Sequence, residues 1–251
     1  MIELKTPEEI ARMRQAGAIV AKLLAHLAGL IAAGMKTKAL DEEACDFIRH
    51  QGAEPAFLGY RGFPASICVS VNEEVVHGIP GARTLCSGDL VSIDAGVKLD
   101  GYYADAAITV VVNGVPSTVQ RLIEVTRGAL ERAIAMARPP HRLSDLSHAI
   151  QETVEHAGLS VVRDFVGHGI GRAMHEDPPI PNFGPPNRGP RLKPGMVLAI
   201  EPMVTMGTWE VEILPDGWTA VTKDRSLAAH FEHTVAVTEQ GPEVLTKPSE
   251  L

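Results

Sequence analysis

The stretch 91–105, VSIDAGVKLDGYYAD, decides the fold, because it predicts two strands joined by a tight turn with a carboxylate in each strand. Apolar residues alternate with polar or small ones from Val91 to Val97, which is typical of a strand with two different faces. The dipeptide Asp100-Gly101 predicts a two-residue type I′ turn, since both of its central positions need positive φ. The segment therefore predicts a hairpin that carries Asp94 on one face.

The same turn fixes which residues lie opposite each other in the predicted hairpin. Gly96 then faces Asp105, and Asp94 faces Ala107, so the two aspartates are diagonal neighbours roughly 7–8 Å apart at the backbone. Both could be ordinary solvent-facing strand residues. If they converge instead, two like charges without a partner would cost stability, and a bound cation would remove that cost.

The composition is that of a mildly acidic globular protein. The chain has 251 residues, 45% of them apolar, and a net charge of −8, which suits one large domain or two small ones. From its N-terminal residues we expect neither an export leader nor a membrane span. Three cysteines without CxxC spacing argue against a disulfide framework or a thiolate zinc site, and favour a reducing cytoplasm. The absence of a basic cluster gives no reason to expect nucleic acid as a required partner.

The predicted elements repeat along the chain. Capping and stop signals predict four helices, which run from Thr6 toward Gly34, from Thr37 to Gly52, from Ser117 to before Pro139, and from Ser144 to Gly158. The offset between the halves is 107 residues from Thr37 to Ser144 and again from Gly88 to Gly195, whereas Thr6 and Ser117 are 111 apart. These spacings indicate a duplication that is blurred at its start.

The repeat adds further carboxylates to the aspartate pair. Aligning residues 88–94 with 195–201 places Glu201 at the position equivalent to Asp94, and Glu232 lies in another segment with strand character. If the two halves face each other, four carboxylates from four strands meet, and two divalent ions would balance their charge.

Three histidines are candidates for the same site. His168 lies between glycines in Phe165–Gly171, which would let a backbone or a metal ion approach closely. One imidazole with four carboxylates is a hard ligand set suited to Mn²⁺, Fe²⁺ or Co²⁺. His77 in HGIP and His175 in MHEDP lie in predicted loops, where either a surface role or a role in the chemistry is open.

Together these residues resemble type I methionine aminopeptidases over essentially the whole chain. The resemblance rests on the five potential ligands and on HGIP at 77, GHGIG at 167 and EP at 201. It implies the pseudo-twofold α/β pita-bread fold, with a central curved antiparallel sheet flanked by two pairs of helices. It also implies a single catalytic domain, residues 1–251, built of two related halves at about 1–112 and 113–251.

The resemblance further implies a role for each residue. Two divalent ions, cobalt, manganese, iron or zinc, would be held with Asp94 as a terminal ligand, Asp105 and Glu232 as bridging ligands, and His168 with Glu201 on the second metal. A metal-bound hydroxide would attack the first peptide bond. Glu201 would act as general base, His175 would support the oxyanion, and His77 would contact the peptide nitrogen.

The implied substrates are N-terminal methionine peptides and nascent chains with a small second residue. The implied protein is a cytoplasmic monomer that associates transiently with the ribosome and requires neither nucleic acid nor a membrane. The implied methionine pocket consists of Phe57, Tyr60, Phe63, Cys68, Met174 and Trp218. Positions 57, 63 and 174 depart from the commonest choices of the family, and each of these residues could equally be packed in the core.

Three other functions, and a type II enzyme with the same function, are the alternatives to this interpretation. An X-Pro peptidase of the same fold usually carries an additional N-terminal domain, for which we expect no room before the helix that starts at Thr6. A metal-free binding protein would be expected to lose the ligands. A creatinase-like hydrolase that uses histidine without metal would not need all four carboxylates. A type II enzyme would need a helical insertion that the spacing from His175 to Glu232 does not accommodate.

Overall fold

The computed structural model describes residues 1–247. Four α-helices span Pro7–Leu30 (α1), Thr37–His50 (α2), Ser117–Met136 (α3) and Leu143–His156 (α4). The first eight strands are β1 Glu54–Pro55, β2 Ile67–Val71, β3 Glu74–Val76, β4 Leu90–Leu99, β5 Tyr102–Val111, β6 Ser160–Val161, β7 Val166–Gly169 and β8 Glu176–Pro181. The remaining strands are β9 Val197–Ile200, β10 Met203–Thr205, β11 Val211–Ile213, β12 Ala220–Thr222, β13 Ala228–His230, β14 Glu232–Thr238 and β15 Gly241–Val244.

A nine-stranded antiparallel sheet forms the centre of the protein. Its main path runs β1-β4-β5-β14-β9-β7-β8, with β2 added beside β4 and β15 beside β14. Two three-stranded sheets, β13-β10-β6 and β11-β12-β3, complete the structure. This mixed α/β architecture, with two helix pairs and a curled antiparallel sheet, confirms the predicted fold class.

The hairpin predicted from residues 91–105 is present in the predicted register. Gly96 pairs with Asp105, and Asp94 pairs with Ala107. Asp100 and Gly101 form the turn with φ of 48° and 83°, as a type I′ turn requires. Turn chemistry and strand period were therefore sufficient to predict the local geometry around both aspartates.

The start of α1 is also as predicted. Thr6 and Glu9 form a reciprocal capping box, in which the Glu9 N–H donates to Thr6 Oγ1 at 3.3 Å and the Thr6 N–H donates to Glu9 Oε2 at 2.8 Å. This arrangement satisfies two backbone donors that the first helical turn leaves unpaired. It also fixes where the chain enters α1.

α3 begins at Ser117 as predicted and α4 begins one residue before Ser144, but neither serine caps its helix. Ser117 is the first residue of α3 and does not cap it, because Pro116 is the N-cap and no side chain accepts there. At α4 the Arg142 N–H donates to Asp145 at 2.7 Å, while Ser144 Oγ accepts from the N–H of a distant residue, Arg188. The Ser144 side chain, which the sequence pattern predicted to cap α4, therefore forms a tertiary hydrogen bond instead.

Each helix pair packs on its own part of the central sheet. Leu23 of α1 and Leu40 of α2 share a buried cluster with Ile93 of β4. Farther along the same face of the sheet, α3 and α4 pack against β9 and β14 through a second cluster that includes Leu122, Leu146 and Leu198. The two clusters suit the predicted division into two related halves at about residue 112, which stays a prediction.

The repeat positions have matching backbone conformations. Gly52 and Gly158, which follow α2 and α4, have φ of 73° and 74°. Gly88 and Gly195, which precede β4 and β9, have φ of 91° and 94°. In residues 1–247, no helix combines the length and apolar character needed to cross a membrane.

Candidate metal centre

Five neighbouring strands of the central sheet bring the five candidate ligands together. Along the order β4-β5-β14-β9-β7, the strands supply in turn Asp94, Asp105, Glu232, Glu201 and His168. Glu201 follows directly after the last residue of β9. Residues that are up to 138 positions apart in the chain (94 to 232) therefore share one region of the sheet.

The side chains converge at short distances. Single ligand atoms of Asp105, His168 and Glu232 all lie within 4.8 Å of one another, which makes these three a candidate metal-binding group. His168 Nε2 is 3.4 Å from Asp105 Oδ2 and 3.7 Å from Glu201 Oε1. Asp94 lies outside that tight group, and its Oδ1 is buried without a hydrogen-bond partner.

The backbone around His168 requires the two flanking glycines. A Cβ at Gly167 would lie 2.4 Å from the carbonyl oxygen of Ala199, and one at Gly169 would lie 2.1 Å from that of Asp177. The register between β7 and β8 shifts at this point. His168 Nδ1 donates to the Gly169 carbonyl at 2.9 Å, so Nε2 is the nitrogen that faces the carboxylates.

Burial dominates the electrostatics of the carboxylates. Desolvation, together with the charges of neighbouring acids, raises the pKa values of Asp94 and Glu232 well above their usual range and that of Glu201 to about 8. Burial alone would lower the pKa of His168, but its hydrogen bond to Asp105 and the acidic charges raise it to about 9.

The donor set fits divalent cations. Among residues 1–247, no lysine or arginine pairs with any of the four carboxylates, and His168 and His230 are the only positively chargeable groups within ion-pair distance of them. Buried like charges need compensation, and carboxylate oxygens with one imidazole are hard ligands. The unpartnered Asp94 Oδ1 is a further free ligand atom.

His175 and His77 lie on the wall of the same cavity. The His175 ring is 4.2 Å from that of His168, and its Nδ1 is 2.8 Å from the hydroxyl of Tyr60. His77 adopts a φ of 60°, which is uncommon for a non-glycine residue, and its ring contacts Phe165 edge-on. Burial lowers the pKa of His77, and burial with the His168 charge lowers that of His175 to about 4.

The apolar end of the cavity lies against β4. Phe63, Cys68 and Met174 are buried there, and Trp218 packs with Phe63 at a ring distance of 5.1 Å. A Cβ at Gly96 would lie 2.6 Å from the Phe57 ring, so this glycine makes room for the aromatic side chain.

All thirteen side chains proposed from the sequence line one cavity of about 280 Å³. The residues are Phe57, Tyr60, Phe63, Cys68, His77, Asp94, Asp105, His168, Met174, His175, Glu201, Trp218 and Glu232. The cavity therefore combines an acidic end with an apolar end, and the structure leaves none of the proposed side chains away from it.

His230 is a further buried histidine beside the candidate ligands that the sequence did not predict. This histidine is 2% exposed, its Nε2 has no hydrogen-bond partner, and that atom is 3.7 Å from Glu201 Oε2. Burial lowers its pKa to about 3, so the ring is neutral at physiological pH. The local signal was its position two residues before Glu232 in the β-patterned run that also suggested that ligand. The contact itself depends on the pairing of β13 with β10, which follows Glu201, and is not readable from the sequence.

Comparison with known proteins agrees with this site. Residues 11–239 match the family model of Metallopeptidase family M24. A protein of Bacillus subtilis named Methionine aminopeptidase 1 is 55% identical over 247 residues, which cover 98% of this chain and 100% of the relative. The Methionine aminopeptidase of Clostridium perfringens is 52% identical over 98% of this chain and 99% of the relative.

Solved structures give the same result. The crystal structure of a methionine aminopeptidase from Thermotoga maritima has a TM-score of 0.97 at 49% identity and covers 98% of this chain and 100% of that one. A prolidase from Pyrococcus furiosus, at 24% identity and a TM-score of 0.80, shares the fold, and 66% of its chain is covered. The chain therefore belongs to metallopeptidase family M24 and, within it, to the methionine aminopeptidases that it matches over nearly its whole length.

Proposed function

We propose that this site removes the initiator methionine from nascent polypeptides with two divalent metal ions, and that it prefers a small residue after the methionine. The single observation that carries this proposal is the convergence of four carboxylates and His168 at one end of a cavity whose other end is apolar. The enzyme class, a methionyl aminopeptidase and metallopeptidase, follows from the relatives.

The proposed ligands are the five residues that the central sheet brings together. Asp94 would hold one ion, His168 and Glu201 would hold the other, and Asp105 and Glu232 would bridge them. The central place of β5 and β14 among the five strands supports the bridging assignment, since Asp105 and Glu232 lie between the remaining ligands. When bound, the ions supply Lewis acidity and lower the pKa of a coordinated water.

The residues of this chain supply the proton transfers and the orientation. Glu201 would accept the proton of the attacking water, because its carboxylate lies within the ligand cluster, 3.7 Å from His168. His175 would donate from Nε2 to the developing oxyanion, with the Tyr60 hydroxyl donating to its Nδ1 and so fixing the tautomer. His77 would contact the peptide nitrogen.

The proposed specificity follows from the shape of the cavity. Phe57, Phe63, Cys68, Met174 and Trp218, with the ring of Tyr60, would surround the methionine side chain. A volume of about 280 Å³ is just below the usual range for small-molecule sites, roughly 300–1,000 Å³. The space left for the second residue is therefore small, and this supports a preference for a short side chain there.

The natural substrates would be nascent chains that emerge from the ribosome with an N-terminal methionine. We propose a reducing cytoplasm as the location and a monomer as the active form. Three free cysteines, Cys45, Cys68 and Cys86, support a reducing compartment.

The test is release of free methionine from Met-Ala-Ser and Met-Leu-Ser by the metal-free protein, with and without added Mn²⁺ or Co²⁺. We expect metal-dependent release that is much faster from Met-Ala-Ser. Ala-Pro serves as the substrate for an X-Pro peptidase. Hydrolysis of Ala-Pro in preference to the methionine peptides, or release of methionine without metal, would contradict the proposal.

A further inference from the structure

Lys5 is a buried cation outside the candidate metal centre. Its side chain is 2% exposed, and Nζ lies 2.6 Å from Glu176 Oε2 and 3.4 Å from Glu3 Oε2. The other paired lysines, Lys38, Lys98 and Lys223, are 33–67% exposed. A buried ammonium is costly unless it is paired, so the position of Lys5 needs a structural reason. Lys5 also precedes residues 11–239, which match the family model.

The Lys5 side chain packs directly against Gly171. A Cβ on Gly171 would lie 2.1 Å from Lys5 Cε and 2.9 Å from Glu176 Oε1. Because Gly171 has no side chain, the Lys5 ammonium can pass close to its backbone and reach the Glu176 carboxylate. Both partners are held on the inner side of the segment Gly171–Glu176.

Glu176 uses its second oxygen to close this loop. Oε1 accepts the N–H of Arg172 at 2.7 Å and that of Ala173 at 3.1 Å. Hydrogen bonds to an ionised carboxylate are shorter and stronger than those between neutral groups. One carboxylate therefore joins Lys5 to the backbone of the loop, and the residue before Glu176 is His175.

The base of the loop is tied down independently. The Tyr103 N–H donates to the Gly171 carbonyl at 2.8 Å, and the Arg172 guanidinium donates to Glu9 of α1. The side chain of His175 contacts the Tyr60 hydroxyl. Inside the segment, the Glu176 carboxylate holds the Arg172 and Ala173 N–H groups, and the Met174 side chain is buried beside Gly96. Lys5 is the buried cation paired with that carboxylate.

We propose that Lys5 is a positioning residue for His175: it fixes Glu176, and Glu176 fixes the loop that aims the imidazole at the oxyanion. This inference rests on the proposed function, because it gives His175 the role of oxyanion donor. Lys5 does not touch substrate and acts only through the loop. A small misplacement of a donor is sufficient for a large loss, on the order of 10²-fold per ångström.

The first test is Lys5→Met, with Lys223→Met as the control, because Lys223 forms an exposed ion pair with Glu210. We expect faster amide hydrogen exchange in residues 171–176 of the metal-free Lys5→Met protein, with α1 and α3 unchanged. In the metal-loaded protein we expect kcat to fall roughly 10–100-fold, with a much smaller change in KM. The control should match the parent in both measurements.

A double-mutant cycle with His175→Ala then identifies the route. If Lys5 acts through His175, adding Lys5→Met to His175→Ala should lower kcat by less than about twofold, because the contact that it positions is already absent. If Lys5→Met lowers kcat as much in the His175→Ala background as in the parent, the proposal is overturned. It is also overturned if Lys5→Met leaves amide hydrogen exchange in residues 171–176 unchanged while the parent releases methionine normally. A parent without activity contradicts the proposed function instead, and the exchange measurement on the loop still tests Lys5.

Glu176→Gln covers the case in which Lys5→Met does not fold. The amide keeps an oxygen for the Arg172 and Ala173 N–H groups but removes the charge that holds Lys5. We expect intermediate exchange in residues 171–176 and an intermediate kcat. A Glu176→Gln protein that equals the parent in both would overturn the proposal.

Discussion

At the scale of single residues, the cost of buried charge organises this site. Asp94, Glu201 and Glu232 are held where desolvation raises their pKa values, and Asp94 Oδ1 has no hydrogen-bond partner. Buried carboxylates destabilise a fold unless a bound cation or hydrogen-bond donors compensate for their lost hydration. The four carboxylates were identifiable from the sequence because each lies in or next to a segment with a strand pattern, and His168 because glycines flank it. His230 and Lys5 were not, because their partners Glu201 and Glu176 are distant in the chain.

The first prediction concerns Asp94→Asn. The amide keeps the shape of the side chain but is a much poorer ligand for a hard dication than the carboxylate. We expect the variant to lose at least one metal equivalent and nearly all activity, as measured by elemental analysis and methionine release. Asp46→Asn, an exposed substitution on α2, is the control and should retain both. Parental metal content and rate in Asp94→Asn would make this aspartate merely structural.

The second prediction concerns His175→Ala. If the imidazole donates to the oxyanion only as the tetrahedral state forms, its removal lowers kcat and leaves substrate binding nearly intact. Loss of one such donor costs about 10²–10³ in kcat, or roughly 2.7–4 kcal/mol. Steady-state kinetics on metal-loaded protein measures this, with metal content as the control. A rate within about threefold of the parent would return His175 to a structural role.

At the scale of elements, the parts that local chemistry determines were predictable. The β4–β5 hairpin follows from its turn dipeptide and its alternation, and the α1 capping box from four consecutive residues. α3 begins at Ser117 as predicted but is not capped by it, since Pro116 is the N-cap. α4 begins at Leu143, one residue before Ser144, because the Ser144 hydroxyl accepts from the distant Arg188 N–H instead of capping the helix. The shift in register at Gly167–Gly169 depends on the backbone of β8 and β9, and no local pattern specifies that approach.

The third prediction tests the glycines of β7. Gly169→Ala places a Cβ 2.1 Å from the Asp177 carbonyl oxygen, so the strand must move and take His168 with it. We expect the free energy of unfolding to fall by about 1–3 kcal/mol, as for other overpacked sites, and metal affinity to weaken. Denaturant unfolding and metal titration measure the two effects. Gly114→Ala is the matched control, since nothing lies within 4 Å of its Cβ. Equal stability of the two variants would contradict the close approach.

At the scale of the whole molecule, the fold brings two helix-backed halves together along one sheet. Each half supplies carboxylates, and the strand order β4-β5-β14-β9-β7 places all five ligands side by side. The sequence repeat predicted this meeting but not the order of the strands, because pairing between the halves is set by contacts more than a hundred residues apart. The proposed division near residue 112 would account for the matching φ values at the repeated glycines.

The fourth prediction is a pH dependence of the metal-free protein. Burial raises the pKa of Glu201 from 4.5 to about 8, and Asp105 holds that of His168 at about 9 against the effect of burial. Between pH 7 and 9, each of these groups therefore binds more protons in the folded protein than in the unfolded protein. The free energy of unfolding must consequently fall as the pH rises through this range. His175 and His230, with lowered pKa values, act in the opposite sense only below about 6.5.

Thermal unfolding at pH 7, 8 and 9 checks this prediction. We expect the Tm of the metal-free protein to decrease across the series. The Mn²⁺-loaded protein should change much less, because the ions replace the protons on these ligands. A metal-free Tm that stays constant or rises from pH 7 to pH 9 would show that these groups do not carry extra protons in the folded state.

The measurement that tests the site most directly is a crystal structure of the protein grown with Mn²⁺, with anomalous diffraction collected to locate the metal. We expect two anomalous peaks in the cavity, both contacted by Asp105 and Glu232, one also by Asp94 and the other by His168 and Glu201. Peaks only at other positions, or none with Mn²⁺ present at saturating concentration, would contradict the proposal that these five residues form a dinuclear metal centre.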